Sequence, residues 1–299
     1  WTPIPGFDAV DNLRSIADKV RRFSDLDLIV DRAQRWADAV KSAVEKGRKI
    51  PSPPQVPKLN HGNPTGLYNG MIAPVVPYAV KGAIWYQGES NVGEGMLYHD
   101  KMKALIAGWR NVFNKKDLSF HFVQLAPYRY NRGDALPDIW EAQVATLSVP
   151  GTGMAIITDI GNTQDIHPRN KQDVGKRLAL WALAKDYGKE NSVYSGPLYK
   201  SMQVEGEKIR IQFAHTGTGL VSRDGKDLTD FIISGSNSEF VAAEATIDGH
   251  TVLVSAENVT EPKNVRFGWQ EIVNPNLSNK EGLPASPFRT DDWKGSTGQ

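Results

Sequence analysis

Residues 81–91 read Lys81-Gly82-Ala83-Ile84-Trp85-Tyr86-Gln87-Gly88-Glu89-Ser90-Asn91. The run 83–86 is apolar and flanked by glycines, the pattern of a strand covered on both faces of a parallel sheet. It ends abruptly in four polar side chains, Gln87, Glu89, Ser90 and Asn91. Serine and asparagine are ordinary turn residues, but glutamine and glutamate have no turn role. A strand that delivers such a cluster to a loop is the basic unit of an α/β fold with its site at the strand ends.

The same unit recurs downstream. A helical pattern over 96–113 carries Tyr98, Met102, Leu105, Trp109 and Phe113 on one stripe, which predicts core packing. A strand follows at 120–125, then a helix over 138–147, a strand at 154–158 and a helix over 170–187. Repeated strand–helix units imply parallel strands with right-handed crossovers. Ligands in such sheets bind at the strands' carboxyl ends, so the loops that matter are 87–95, 126–137 and 159–169. Upstream, 8–23 and a second stretch around Ile29 to Val44 read as amphipathic helices. Residues 51–60 (PSPPQVPKLN) hold four prolines and read as an extended connector rather than a recognition motif.

From about residue 192 the helical period vanishes. Short alternating runs at 208–213, 231–234, 240–243, 251–255 and 265–269 are bounded by turn pairs such as Asp224-Gly225 and Asp248-Gly249. They predict antiparallel strands joined by hairpins. The expected organisation is an α/β domain over 1–190 and a β-rich, sandwich-like region over 191–299. The polar, proline-containing segment 274–299 is expected to wrap the surface.

Composition narrows the function classes. The chain has 299 residues, 40% hydrophobic and 23% charged, within the range of folded proteins. Its net charge of +1 offers no electrostatic footprint for nucleic acid, and no apolar run is long enough to span a bilayer. With no cysteine, disulfides, thiolate metal sites and a cysteine nucleophile are excluded. Phosphate loops, dinucleotide-binding glycine motifs and the Gly-x-Ser-x-Gly elbow are all missing. The sequence starts at Trp1 rather than methionine, so removal of something upstream is expected, with no signal peptide left to read.

The third loop contains Asp159, Asp165 and His167. Of the six histidines, His167 is the best placed for general base work, with Asp165 a possible orienting acid and Asp159 a second one. These three could also hold a metal, but their spacing matches no standard zinc or calcium loop; no cofactor or metal is expected. Ser90 follows a strand, as nucleophilic serines do, yet Gly88-Glu89-Ser90-Asn91-Val92 lacks the second glycine of a sharp elbow.

Four stretches resemble the bacterial sialate O-acetylesterase family of the SGNH hydrolase superfamily: Leu67-Tyr68-Asn69-Gly70-Met71-Ile72-Ala73-Pro74, the 81–91 segment, Asp165-Ile166-His167-Pro168-Arg169-Asn170-Lys171-Gln172-Asp173-Val174-Gly175, and Asn279-Lys280-Glu281-Gly282-Leu283-Pro284-Ala285-Ser286-Pro287-Phe288-Arg289-Thr290. The resemblance runs from Trp1 to about Asp291. It implies a flavodoxin-like α/β/α core with β-rich appendages, and removal of O-acetyl groups from sugars through a serine acyl-enzyme. Carried onto this chain, His167 takes the serine proton and Gln87 helps hold the oxyanion. Glu89, Ser90 and Asn91 line the substrate side. An ester carbonyl needs these parts: a nucleophile, a base and donors aimed at the developing negative oxygen.

The chain departs from the family in two places. The family's nucleophile lies in a Gly-Gln-Ser-Asn-type motif that does not occur here. The serine, and the glycine giving the second oxyanion donor, are therefore expected on a segment upstream of Trp1, acting as the chain's partner. Two of the family's four sequence blocks remain. The superfamily's Asp-x-x-His spacing would put the acid at Gln164, whereas Asp165 stands two residues before His167. A backbone carbonyl, Asp159 or a dyad without an acid are the alternatives. The expected function is a carbohydrate O-acetylesterase acting on an acetylated sugar, in the periplasm or outside the cell. The competing readings are a non-catalytic glycan-binding hydrolase remnant and a purely structural fragment.

Overall fold

The computed structural model describes residues 1–54, 62–189, 192–236 and 238–291. Most of the proline-rich connector and the last eight positions lie outside them. The chain divides into two compact units, Trp1–Val80 with Asp100–Leu118, and Lys81–His99 with Ser119–Gln299.

The first unit is helical: α1 (Ile4–Asp8), α2 (Arg14–Ser24), α3 (Leu26–Glu45) and most of α4 (Leu97–Val112). The amphipathic stretch expected as one helix over 8–23 is interrupted by a 3₁₀ turn at Asp11–Leu13. Phe7, Val10, Leu13 and Ala17 still converge on Ala104 of α4. Gly6 permits this approach, because a Cβ there would stand 2.1 Å from the Ala104 carbonyl oxygen. Asp25 caps α3 by accepting from the Leu28 N–H at 3.1 Å.

The second unit contains a parallel sheet of β1 (Gly82–Trp85), β2 (Ser119–Val123) and β3 (Thr152–Ala155), in the order β1-β2-β3. Helix α5 (Ala135–Thr146) packs on β3, and α6 (Lys171–Lys185) on β2 and β3. Central β2 is sealed, with Phe120 and Phe122 at 0% exposure. The expectation of a doubly buried strand at 83–86 is corrected. β1 lies at the sheet's edge and Ile84 is 70% exposed. Its apolar sequence reads correctly as a strand, but burial requires that both faces be covered, which an apolar run does not settle; among the described residues β1 pairs with β2 alone.

Among the described residues ten antiparallel strands follow: β4 (Leu198–Glu205), β5 (Lys208–Ala214), β6 (Leu220–Ser222), β7 (Phe231–Ser234), β8 (Phe240–Ala242), β9 (Glu244–Asp248), β10 (Thr251–Ser255), β11 (Asn264–Phe267), β12 (Leu277–Asn279) and β13 (Phe288–Arg289). Two four-stranded sheets, β4-β5-β10-β9 and β13-β11-β7-β8, share one core that includes Ile209, Ile211, Ile233, Val252, Val265 and Phe267. Alternation decides this: in β5 every second residue, Ile209, Ile211 and Phe213, is buried. Asp248-Gly249 closes the β9–β10 hairpin as expected. The tail expected on the surface instead enters the core as β12 and β13. Asn276 and Asn279 are 2% and 0% exposed. Burial costs little because each amide is satisfied: Asn276 Nδ2 donates to the Asp227 carbonyl at 2.8 Å and Asn279 Nδ2 to that of Ser195 at 3.0 Å.

Candidate active site

The loops after β1, β2 and β3 emerge at one end of the parallel sheet. Side chains on α5 fix the base of the middle loop. Gln143 donates to the Val123 carbonyl at 3.0 Å and accepts from the Leu125 N–H at 3.0 Å, while Trp140 donates to the Leu125 carbonyl at 2.7 Å. The third loop is held by Arg177 of α6, which grips both oxygens of Asp159 at 2.6 and 2.7 Å and the Ile156 carbonyl at 2.7 Å. A bidentate guanidinium–carboxylate pair orients strongly. It commits Asp159 to the scaffold rather than to His167.

The first loop turns at Gly88, whose φ of 146° and proximity to Tyr98 exclude a side chain; a Cβ would lie 2.8 Å from the Tyr98 hydroxyl oxygen. That hydroxyl donates to the Gln87 carbonyl at 2.8 Å, and the turn continues as a 3₁₀ segment over Glu89–Asn91. Asn91 Nδ2 donates to Glu94 at 2.9 Å. Among the described residues the Gln87 amide has one hydrogen-bond contact, Nε2 to Asn91 Oδ1, at the 3.5 Å limit, so toward them its N–H groups are largely uncommitted. Glu89 Oε2 accepts from the Gly88 N–H at 3.0 Å. Ser90 is exposed on the turn, and its hydroxyl has no side-chain partner among the described residues.

In the third loop Asp165 Oδ1 accepts from the backbone N–H of His167 at 2.9 Å. This contact shapes the turn, an Asx geometry, and leaves the imidazole exposed, with no partner among the described residues. Asp159, Asp165 and His167 do not assemble a metal site: no group of three such ligands does among the described residues.

The loops meet at Tyr86. Tyr86 and Ile160 both pack against the buried cluster that includes Val123, Ala126, Ala155 and Ile157, and Lys171 Nζ at the start of α6 lies 4.4 Å from the Tyr86 ring centroid. Tyr86 directly precedes Gln87, and Lys171 follows His167 by one helical turn of sequence. Burial, then the charge of Glu89, pushes the Tyr86 hydroxyl up to about 12. The same two influences, burial first, raise Tyr130 on the middle loop. Both tyrosines therefore stay protonated donors at neutral pH beside an acidic group. Sequence reading does not single out Tyr86, Tyr130 or Lys171 as site residues; the aromatic–glycine punctuation around 86–88 is the available signal.

Known proteins are similar to this chain in sequence and in fold. Residues 56–183 match the family model "Carbohydrate esterase, sialic acid-specific acetylesterase". The sialate O-acetylesterase of Rattus norvegicus is 36% identical over 207 residues, 62% of this chain and 37% of that protein. The Homo sapiens sialate O-acetylesterase is 31% identical over 204 residues, 59% of this chain and 39% of that protein. A crystal structure of a carbohydrate acetylesterase from Xanthomonas citri superposes with a TM-score of 0.73 at 43% identity, covering 76% of this chain and 54% of that one. The chain thus spans less than two fifths of the curated relatives it matches. On these matches and the fold that accompanies them, residues 56–183 carry a likeness to the sialic acid-specific acetylesterase family of carbohydrate esterases.

Proposed function

We propose that this chain is the part of a carbohydrate O-acetylesterase that carries the base and an oxyanion donor, completed by an upstream segment of the same enzyme that brings the serine. One observation carries the reading: at a single end of the parallel sheet, an amide with one long contact (Gln87) and an exposed imidazole without a partner among the described residues (His167) stand on loops joined through Tyr86 and Lys171. The open edge of β1, with Ile84 exposed, supports it, since an added strand there would deliver a residue beside Gln87.

In the reaction, His167 accepts the proton of the serine hydroxyl as its oxygen bonds to the acetyl carbonyl carbon. The Gln87 amide donates to the negative oxygen that develops. Collapse breaks the bond to the sugar oxygen, which leaves with the proton from His167. A water, deprotonated by His167, then releases acetate and restores the serine. Asp165 holds the turn that presents His167. Glu89, Ser90 and Asn91 face the sugar. Residues 1–190 carry this machinery and 191–299 brace it, and an acetylated glycan substrate suits a periplasmic or extracellular site of action. Among the described residues no helix is long and apolar enough to cross a membrane.

The test compares the chain alone with the enzyme including its upstream segment, measuring acetate release from a 9-O-acetylated sialic acid and from an acetylated xyloside. Release by the longer protein only, lost in His167→Ala, is expected. Turnover by the chain alone, abolished by Ser90→Ala, would make Ser90 the nucleophile and overturn the assignment. Sugar binding without turnover by the longer protein would favour the non-catalytic reading.

A further inference from the structure

A carboxylate far away in sequence grips the middle active-site loop. Glu271, between β11 and β12, is 9% exposed. Its Oε2 accepts from the Asn131 N–H at 2.8 Å and its Oε1 from the Arg132 N–H at 2.9 Å. Asn131 adopts φ 57°, so the two successive N–H groups turn to the same side and form a small anion-holding concavity, which the carboxylate fills. The loop it fixes reaches onward: Arg132 Nη1 donates to the Val92 carbonyl at 2.8 Å. Val92 ends the turn that begins at Gln87, and its own N–H bonds back to the Glu89 carbonyl at 3.4 Å. Two steps, carboxylate to backbone and guanidinium to carbonyl, therefore connect the β-rich region to the turn bearing the oxyanion donor.

We propose that Glu271 is a positioning residue for catalysis, holding Arg132 so that Arg132 sets the 87–92 turn and with it the Gln87 amide. The proposal rests on the esterase reading for its kinetic consequence, but not for the structural coupling itself. Among the described residues no other acceptor serves the N–H groups of Asn131 and Arg132, so losing the carboxylate frees both. Oxyanion donors act only within a few tenths of an ångström of their required place, and a misplacement of about 1 Å costs roughly 10²-fold.

The experiment uses the complete enzyme with Glu271→Ala, Glu271→Gln, Arg132→Ala and the double variant Glu271→Ala/Arg132→Ala. Kinetics on 4-nitrophenyl acetate and amide hydrogen exchange are both followed. Glu271→Ala is expected to lower kcat by roughly 10–100-fold with KM little changed, because the small ester touches only the reacting groups. Arg132→Ala should fall in the same range. The double variant should lose no more than the worse single one, the signature of two residues in one chain of contacts. Glu271→Gln keeps one acceptor and should recover part of the loss. Exchange at 88–92 should quicken in both alanine variants. Additive losses, wild-type kcat in a folded Glu271→Ala, or faster exchange confined to 131–132 would overturn the proposal. If the wild-type enzyme releases no acetate at all, the esterase reading is what fails, and exchange at 88–92 alone then decides the role of Glu271.

Discussion

The two ends of the parallel sheet hold similar residues in opposite states. At the amino end, Ser119 and His121 of β2 both bond to Asp186, at the end of α6; the imidazole Nε2 lies 2.8 Å from Asp186 Oδ2. His121 is 3% exposed. Its other nitrogen is pressed against packed protein, since a Cβ on Gly153 would sit 2.6 Å from it. A serine, a histidine and an aspartate are all present, yet the order is wrong for catalysis: the serine donates to the aspartate, not to the imidazole, and the imidazole is sealed from solvent. At the carboxyl end His167 is exposed, and its imidazole has no partner among the described residues. The difference teaches that residue types do not make a site. A structural cluster turns its hydrogen bonds inward, here leaving only the buried His121 Nδ1 without a partner among the described residues, whereas a site withholds exposed polar groups for substrate.

The largest expected effect tests the exposed histidine. In the complete enzyme, His167→Ala should lower kcat on an aryl acetate by roughly 10⁴–10⁶ while leaving the urea midpoint nearly unchanged. Substantial residual turnover would remove His167 from the mechanism. Next comes the buried cluster. Asp186→Ala strands His121 and Ser119 and should cost about 1–3 kcal/mol of stability, as leaving buried polar groups without a partner does, read by urea unfolding. The kcat of the molecules that remain folded should stay within a few-fold of wild type. A catalytic defect without a stability defect would reverse the comparison. Third, Gln87→Ala should lower kcat by about 10²–10³, the usual cost of one oxyanion donor, with no change in unfolding. An effect on KM alone would make Gln87 a binding residue instead.

Much of this contrast is legible in the chain before any coordinates. The strand–loop–helix units at 83–113, 120–147 and 154–187 point to all three loops, because apolar runs followed by polar clusters report a local fact. What stays hidden depends on partners distant in sequence. His121 reads as an ordinary strand residue because Asp186 is 65 positions away. Glu271 carries no local mark because the loop it grips is 139 and 140 positions away. The exposure of β1 is hidden for a related reason: an apolar run states that a strand forms, while its neighbours decide whether it is buried. Strands β4, β9 and β12 are not evident because their polar residues read as turns. Only the pairing explains them, as with β12, whose Leu277, Ser278 and Asn279 lie antiparallel to Ser222, Val221 and Leu220 of β6.

The smallest expected effect sharpens the comparison with a second buried aspartate. Asp138, in the first turn of α5, is 4% exposed. Unlike Asp186, neither of its oxygens has a hydrogen-bond partner among the described residues. Burial raises its pKa to about 6; Arg289 and Arg266 pull it down, and Asp134 and Glu141 push it up. Arg289 is already engaged by Glu141 at 2.7 Å and Arg266 by Asp291 at 2.8 Å, which limits what they give Asp138. Between the ordinary carboxylate value of 3.8 and about 6, the folded state keeps a proton that the unfolded state has lost. Stability from this group is therefore complete below that window and falls as pH rises through it. Above it, the ionised carboxylate destabilises the fold by about 1–3 kcal/mol, since each tenfold change in proton affinity is worth about 1.4 kcal/mol. Asp138→Asn removes the charge and keeps the shape. Urea midpoints of wild type and variant should nearly coincide at pH 4 and separate in favour of the variant by pH 7. Asp186→Asn should show the opposite preference at pH 7, since that carboxylate has two partners to lose. A variant of Asp138 that is less stable than wild type at pH 7 would mean that this aspartate, too, is held by its surroundings.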